Sequence, residues 1–270
     1  MKIYRFVFLL IFAGSVFASW MSDRSSVDSL RVIFDRTCED SASFGRFLKQ
    51  KEIIEDLEVL FNEELDVKTR VTIDFSCAKG GGPYYLPSGK KIVIPISFRG
   101  YLEKLIKHSE MAKVYNFTED DIEEISNNTM IFMIFHELGH ALIDVLDIPT
   151  TGREEDAVDE LSTILLLSYY EDGIEMALSA AVVFNVWSEM QDATISDDRM
   201  YGEHSLDAQR FFNILCMVYG YDDSANGDVF NLFEVEVSDE RAYRCILDYN
   251  KKARSWYFLL KPHLRDQEES

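Results

Sequence analysis

Between residues 43 and 65, apolar side chains return at helical intervals: Phe44, Phe47, Leu48, Ile54, Leu57, Phe61 and Leu65. Residues three and four apart share a helix face, so this stretch predicts one amphipathic helix. The period then changes. Val71, Ile73 and Phe75 alternate with polar partners, the two-residue repeat of a half-buried strand ending near Cys77. Gly80-Gly81-Gly82-Pro83 and Pro87-Ser88-Gly89 read as turns around residues 84–86, and residues 92–96 follow as another apolar run. The expected product is a small antiparallel meander, its last strand at an edge because Pro95 has no amide to donate. No helix or lysine-serine pair follows the triple glycine, so it is a hairpin turn rather than a phosphate loop.

From Phe98 onward the pattern is mostly helical. Thr118 and Asp121 resemble a capping box with Asp in place of Glu or Gln. Residues 129–146 predict a strongly apolar helix stopped by Ile148-Pro149, and further helices are expected at 154–170, 174–190, 205–219 and 239–259. Residues 22–29 are polar and read as a loose lead. The fold class expected is α+β, mainly helical, with a small antiparallel sheet ahead of the apolar helix and a helical C-terminal part.

The first eighteen residues change the picture of where the chain works. Lys2 and Arg5 precede an apolar stretch at 6–13, and Val16-Phe17-Ala18 gives a small-residue cleavage pattern before Ser19. This predicts a signal peptide at 1–18 and a protein that is periplasmic or secreted. The apolar stretch falls short of the roughly 20 residues of a membrane span, and no later stretch is long enough. Residues 19–270 are expected to form a single domain, with the sheet in 19–127 and the helical part in 128–270.

A formal charge of −21, from 27 basic and 48 acidic residues, repels phosphate backbones and anionic lipid, which excludes nucleic acid as a partner. The acidity is read as solubility. Four cysteines, Cys38, Cys77, Cys216 and Cys245, make no C-x-x-C pair, so a cysteine zinc site has no support. In an exported chain their even number predicts two disulfides. Pairing by neighbourhood gives Cys38 with Cys77 and Cys216 with Cys245, one of three possible connectivities. Asn116-Phe117-Thr118 and Asn127-Asn128-Thr129 match glycosylation acceptors, relevant only in a eukaryotic secretory host.

Chemistry concentrates in His136-Glu137-Leu138-Gly139-His140. On a helix the two histidines share a face one turn apart, the spacing that lets two imidazoles meet one zinc ion. Glu137 lies beside them, placed to accept a proton from water that zinc has made acidic. Gly139 costs about 1 kcal/mol inside a helix, yet leaves room for close approach of substrate or backbone. A third ligand must come from elsewhere, and Glu154, Glu155, Asp156, Asp159 and Glu160 are the nearby candidates. Glu155 as ligand leaves Asp159, one turn on, to accept the outer N–H of a zinc-bound histidine. Glu154 best fits a helix-start charge favoured by the macrodipole. His204 is either a donor to a developing oxyanion or a loop anchor, just ahead of a helix that Ser205 can cap. Arg153 and Arg210 have weaker claims, and His108 and His263 read as surface residues.

The stretch HELGHALIDVLDIPTTGREEDAVDEL resembles the signature of zincins with a glutamate third ligand, the thermolysin-like clan in the broad sense. More closely, the chain is similar to a family of mostly bacterial exported proteins described as metallopeptidases of unknown function. The likeness runs through Gly-Arg-Glu-Glu-Asp-Ala, then Glu203-His204-Ser205-Leu206-Asp207 to Phe211, then Ile214 to Gly220, and finally Trp256 with Pro262-His263-Leu264. It covers residues 130–264 well and the first third loosely. The family's cysteine in the strand at 92–96 is missing here, and Val158 stands where the family has a small residue. The resemblance implies one zinc ion per chain on His136, His140 and Glu155, with Asp159 behind them, Glu137 as general base and a peptide or protein as substrate. It also implies an edge strand, around residues 92–96, that binds extended peptide, although Pro95 would interrupt such pairing. A non-catalytic zinc-binding protein and a zinc amidase are the alternatives.

Overall fold

Four short strands make one sheet, β1 (Leu30–Phe34), β2 (Val71–Ser76), β3 (Tyr84–Leu86) and β4 (Lys91–Pro95), in the order β1-β2-β4-β3. This is a computed structural model; it describes residues 28–38, 40–78, 80–190, 202–222 and 229–265, so the segment read as a signal at 1–18 lies outside the described residues.

The sheet is mixed, not an antiparallel meander. β1, β2 and β4 run parallel, and only β3 runs antiparallel, on the outer side of β4. The glycine loop therefore carries the chain past the place where β4 will sit, instead of turning β3 back onto β2. β4 is consequently central, not an edge. Ile92, Val93 and Ile94 are buried, as a strand covered on both faces requires. Pro95 is harmless because it lies beyond the last β3 pair, Tyr84 with Val93. The edge on that side is β3, closed at its two ends by Pro83 and Pro87.

The helix expected at 43–65 is broken in two. α1 (Ser41–Gln50) and α2 (Ile53–Val59) meet at Glu52, whose φ of 57° leaves the helical region, and a π-helical turn at Leu60–Glu64 follows. The apolar stripe survives the break: Phe44, Leu48, Ile53, Leu57, Phe61 and Leu65 are all buried. α3 (Ser97–Lys107) and α4 (Glu110–Val114) then lead into the central helix α5 (Glu119–Val145). α5 starts ten residues before the apolar run because Thr118 caps it. Its hydroxyl accepts from the Asp121 amide at 3.2 Å, and the Asp121 carboxylate accepts from the Thr118 amide at 2.7 Å. From Ser126 to Gly139 it is buried on every side. Asn127 is inside, accepting from Arg99 at 3.3 Å, so its glycosylation motif is closed off; Asn116 is exposed.

α6 (Glu154–Tyr169), α7 (Gly173–Glu189), α8 (Asp207–Tyr221), α9 (Val229–Leu232) and α10 (Asp239–Leu260) complete the described elements. α8 is not capped by Ser205: its N-cap is Leu206, whose amide is taken by the Gln209 side chain at 3.1 Å. Buried apolar residues of the sheet and the helices belong to one contiguous cluster. Both disulfides pair neighbours, Cys38 with Cys77 and Cys216 with Cys245. The second joins α8 to α10 where Gly220 lets the helices touch; a Cβ there would stand 2.3 Å from the Cys245 carbonyl oxygen.

Candidate metal centre and its cleft

α5 ends with Asp147 in the left-handed region (φ 52°) and the Ile148 amide donating to Ile143 O at 3.0 Å, and Pro149 prevents continuation. The chain reverses through residues 149–153, and α6 returns antiparallel along α5. The Ser162 hydroxyl donates to Phe132 O at 2.8 Å, and further down Gly139 faces Val158. Gly139 is the close approach itself. A Cβ on it would meet Val158 Cβ and Cγ1 at 2.8 Å, so its space is filled by the neighbouring helix and not by substrate.

This register brings the acids of the first two turns of α6 against the motif histidines. Glu155 lies 3.1 Å from His136 Nε2 through Oε2 and 3.5 Å from His140 Nε2 through Oε1. Ligand atoms of His136, His140 and Glu155 all fall within 4.8 Å of one another. The opposite ring nitrogens are engaged too. His136 Nδ1 meets Asp159 at 2.8 Å, and His140 Nδ1 meets Glu154 at 2.7 Å. Asp159 is gripped by Arg210, which donates from Nε and Nη2 at 2.7 Å each. The guanidinium in turn lies 3.9 Å over the Phe184 ring.

Charge balance follows from this wiring. Burial pushes the Asp159 carboxyl up, but Arg210 and His136 outweigh it and hold it down at about 2. Burial likewise works against a charged His136, yet Asp159 and Glu155 raise its pKa to about 9. Three histidines hold Glu155 well below the ordinary carboxylate range against the opposing effect of burial, His204 being the third at 2.9 Å from Oε2. Glu137 is buried, which raises its pKa against the opposing charges of His136 and His140, and the Tyr85 backbone of β3 beside it favours the charged form.

These groups share a cleft of about 910 Å³, with Tyr84 and Tyr85 on one wall and Arg153, Glu203 and His204 on another. Arg153 donates to His204 O at 2.9 Å and so holds that loop at the mouth. Glu160 is turned away, paired with Lys252 at 2.7 Å, and Asp156 lines a different groove. His108 is exposed, bonded to Lys104 O, and His263 lies in a turn after α10.

The family model described as "Putative metallopeptidase" matches residues 35–260. The chain belongs to this family. No curated protein and no solved structure matches it. Membership of a metallopeptidase family implies a metal ion, and the residues present fit one. Two imidazole nitrogens and a carboxylate converge, and each imidazole's other nitrogen is fixed by an acid, the arrangement that orients metal-binding histidines. Two participants escaped the sequence reading. Glu154 is a partner of His140, not a free helix-start charge, and Tyr85 sets its backbone beside Glu137 from a strand with no sequence signal of that proximity.

Proposed function

We propose that the chain is an exported zinc-dependent peptidase, periplasmic or secreted, holding one zinc ion on His136 Nε2, His140 Nε2 and Glu155. The observation that carries this reading is the convergence of those donors beside Glu137 in a cleft roomy enough for a peptide. Among the described residues no fourth histidine, cysteine or acid brings a ligand atom within 4.8 Å of all three, as befits a catalytic rather than a structural site. Two disulfides support export, and among the described residues no helix is long and apolar enough to cross a membrane.

When bound, zinc supplies Lewis-acid activation of a water molecule and of the substrate carbonyl. Glu137 takes the proton released as water attacks and returns it to the departing amine nitrogen, so that amide and water become acid and amine. The Tyr85 backbone lies beside the Glu137 carboxylate and favours its charged form. Asp159 and Glu154 set the orientation of the two histidine rings, and Arg210 keeps Asp159 ionised in the interior. His204, tethered through Arg153, donates to the oxygen that gains charge on the carbonyl. An extended substrate lies along the exposed edge of β3.

The test combines metal analysis of the mature protein with a mixture-based peptide cleavage screen. About one zinc per chain is expected, lost in His136→Ala/His140→Ala. Glu137→Gln should keep zinc while hydrolysis falls by several orders of magnitude. Full zinc in the double histidine variant, or full activity of Glu137→Gln, would overturn the reading. Cleavage confined to non-protein amides would reassign the enzyme as an amidase.

A further inference from the structure

A second cavity, of about 550 Å³, opens beside the N-terminal half of α5 and shares no lining residue with the metal cleft. Asn128, its deepest α5 residue in sequence, precedes His136 by two turns, about 12 Å along the axis. Three aromatic rings line it. Tyr115 stacks with Phe117 at 6.0 Å between centroids and meets Phe233 edge-on at 6.5 Å. Three acids line it as well: Asp121, Glu124 and Glu175. No lysine, arginine or histidine does so among the described residues.

That combination is selective. Aromatic faces carry negative quadrupoles and attract cations, most strongly where water is displaced. Carboxylates at the same opening add attraction at longer range. Asp121 is held in its charged form by the Thr118 hydroxyl and amide. Glu234 adds a further negative charge, since burial first and then this carboxylate raise the Tyr115 hydroxyl pKa. In the wall, Asn128 donates to the Ser179 hydroxyl at 3.3 Å, and its own buried Oδ1 has no hydrogen-bond partner. An anion would meet repulsion here, and a neutral apolar molecule would use the walls but not the charge. The volume suits a small organic molecule.

We propose that this cavity is a binding site for an amphipathic organic cation, an ammonium group on an aromatic or aliphatic body, separate from the metal centre. The site needs neither metal nor hydrolysis, so it stands whether or not the chain is a peptidase.

Calorimetry and protein-observed NMR on the full mature chain test this with three molecules of matched shape: phenethylammonium, 2-phenylethanol and 3-phenylpropionate. Phenethylammonium should bind saturably at one site, at least about tenfold more tightly than 2-phenylethanol, and 3-phenylpropionate should not bind. Glu124→Gln/Glu175→Gln, both exposed positions, should weaken the cation about three- to tenfold and leave 2-phenylethanol unchanged. Phe117→Leu, which keeps an apolar wall, should weaken the cation while zinc content stays constant. Equal binding of all three molecules, absence of saturable cation binding, or binding unaffected by these substitutions would each overturn the proposal.

Discussion

Gly139→Ala should damage metal binding far more than it damages the fold. The added methyl would stand 2.8 Å from Val158 Cβ and Cγ1 and 3.3 Å from its Cα. Carbon atoms pack favourably at about 3.5–4.0 Å, so the contact is short by about 1 Å. A rotamer change cannot relieve it, because the nearest atoms include Cβ, which no side-chain rotation moves. α5 and α6 must separate, or α6 must slide. Replacing glycine within a helix gains about 1 kcal/mol, and overpacking costs about 1–3 kcal/mol, so the net loss of stability is only about 0–2 kcal/mol. The same interface, however, sets the spacing of His140 to Glu155 and of His136 to Asp159. A displacement near 1 Å there should lower zinc affinity about 10–100-fold, comparable to losing an outer partner of a ligand. Competition against a chromophoric chelator measures the affinity, and thermal unfolding of the metal-free protein measures the fold. Val158→Gly should restore part of the affinity in the Gly139→Ala background, with a favourable coupling of about 1–2 kcal/mol in the double-mutant cycle even though loss of the buried valine lowers stability. Unchanged zinc affinity in Gly139→Ala would refute the argument, since it would mean that the ligand set does not depend on helix contact at this point.

Other outcomes follow from the same geometry. Glu155→Ala should abolish tight zinc binding, whereas Glu154→Ala should cost only about tenfold, its carboxylate being an outer and partly exposed partner of His140; equal losses in a chelator titration would reverse the assignment. Arg210→Met should destabilise the fold by about 3–5 kcal/mol, because it leaves Asp159 charged and buried, and a loss below about 1 kcal/mol in urea unfolding would contradict this. Cys216→Ser/Cys245→Ser, which opens a loop closed across 29 positions, should cost about 3.5 kcal/mol; equal melting temperatures with and without the bridge would count against it. Glu64 is buried, which with nearby Glu63 and Asp56 raises its pKa to about 8 from an ordinary 4.5. Its folded form therefore holds a proton that the unfolded form releases, so its contribution is complete below pH 4.5 and is lost as pH rises towards 8, at up to about 1.4 kcal/mol per pH unit. Glu64→Gln should flatten that slope in unfolding measurements between pH 5 and 8; an identical slope would exclude Glu64 as its source.

The helices were legible because their apolar period is long and repeated, and the motif helix was legible to within a residue at its C-terminal end. The sheet was legible only as strands. Alternation along Val71, Ile73 and Phe75 reports a buried face but not a direction, and direction depends on the path of residues 80–83. β1 was invisible because only Leu30 in it is well buried. The break at Glu52 was invisible for the opposite reason: the stripe continues through it, and a glutamate at φ 57° carries none of the signal a glycine would. Glu154 was within reach. Once two antiparallel helices set Asp159 against His136, moving one turn forward to His140 means moving one turn back along α6, to Glu154 and Glu155. Arg210 was not, since nothing local links residues 51 positions apart.

That distant link also explains why the segment around α8 belongs to the centre. Arg153, at the start of α6, donates to the backbone of His204, just ahead of α8. Arg210, on α8, donates back to Asp159 on α6. The two ties run in opposite directions between the same pieces of chain, so the loop bearing His204 cannot shift without loading a helix that carries the histidines' partners. They are unequal in strength. Asp159 and Arg210 are enclosed, and their charges have little water to fall back on, whereas the Arg153 contact is open to solvent. The deep tie therefore fixes the ring of His136, and the shallow tie holds the loop of His204 less firmly. His140 lies between these extremes, its outer partner Glu154 having a side chain 43% exposed against 11% for Asp159. Burial thus declines from the interior towards the mouth of the cleft, from His136 through His140 to His204, whose side chain is 53% exposed.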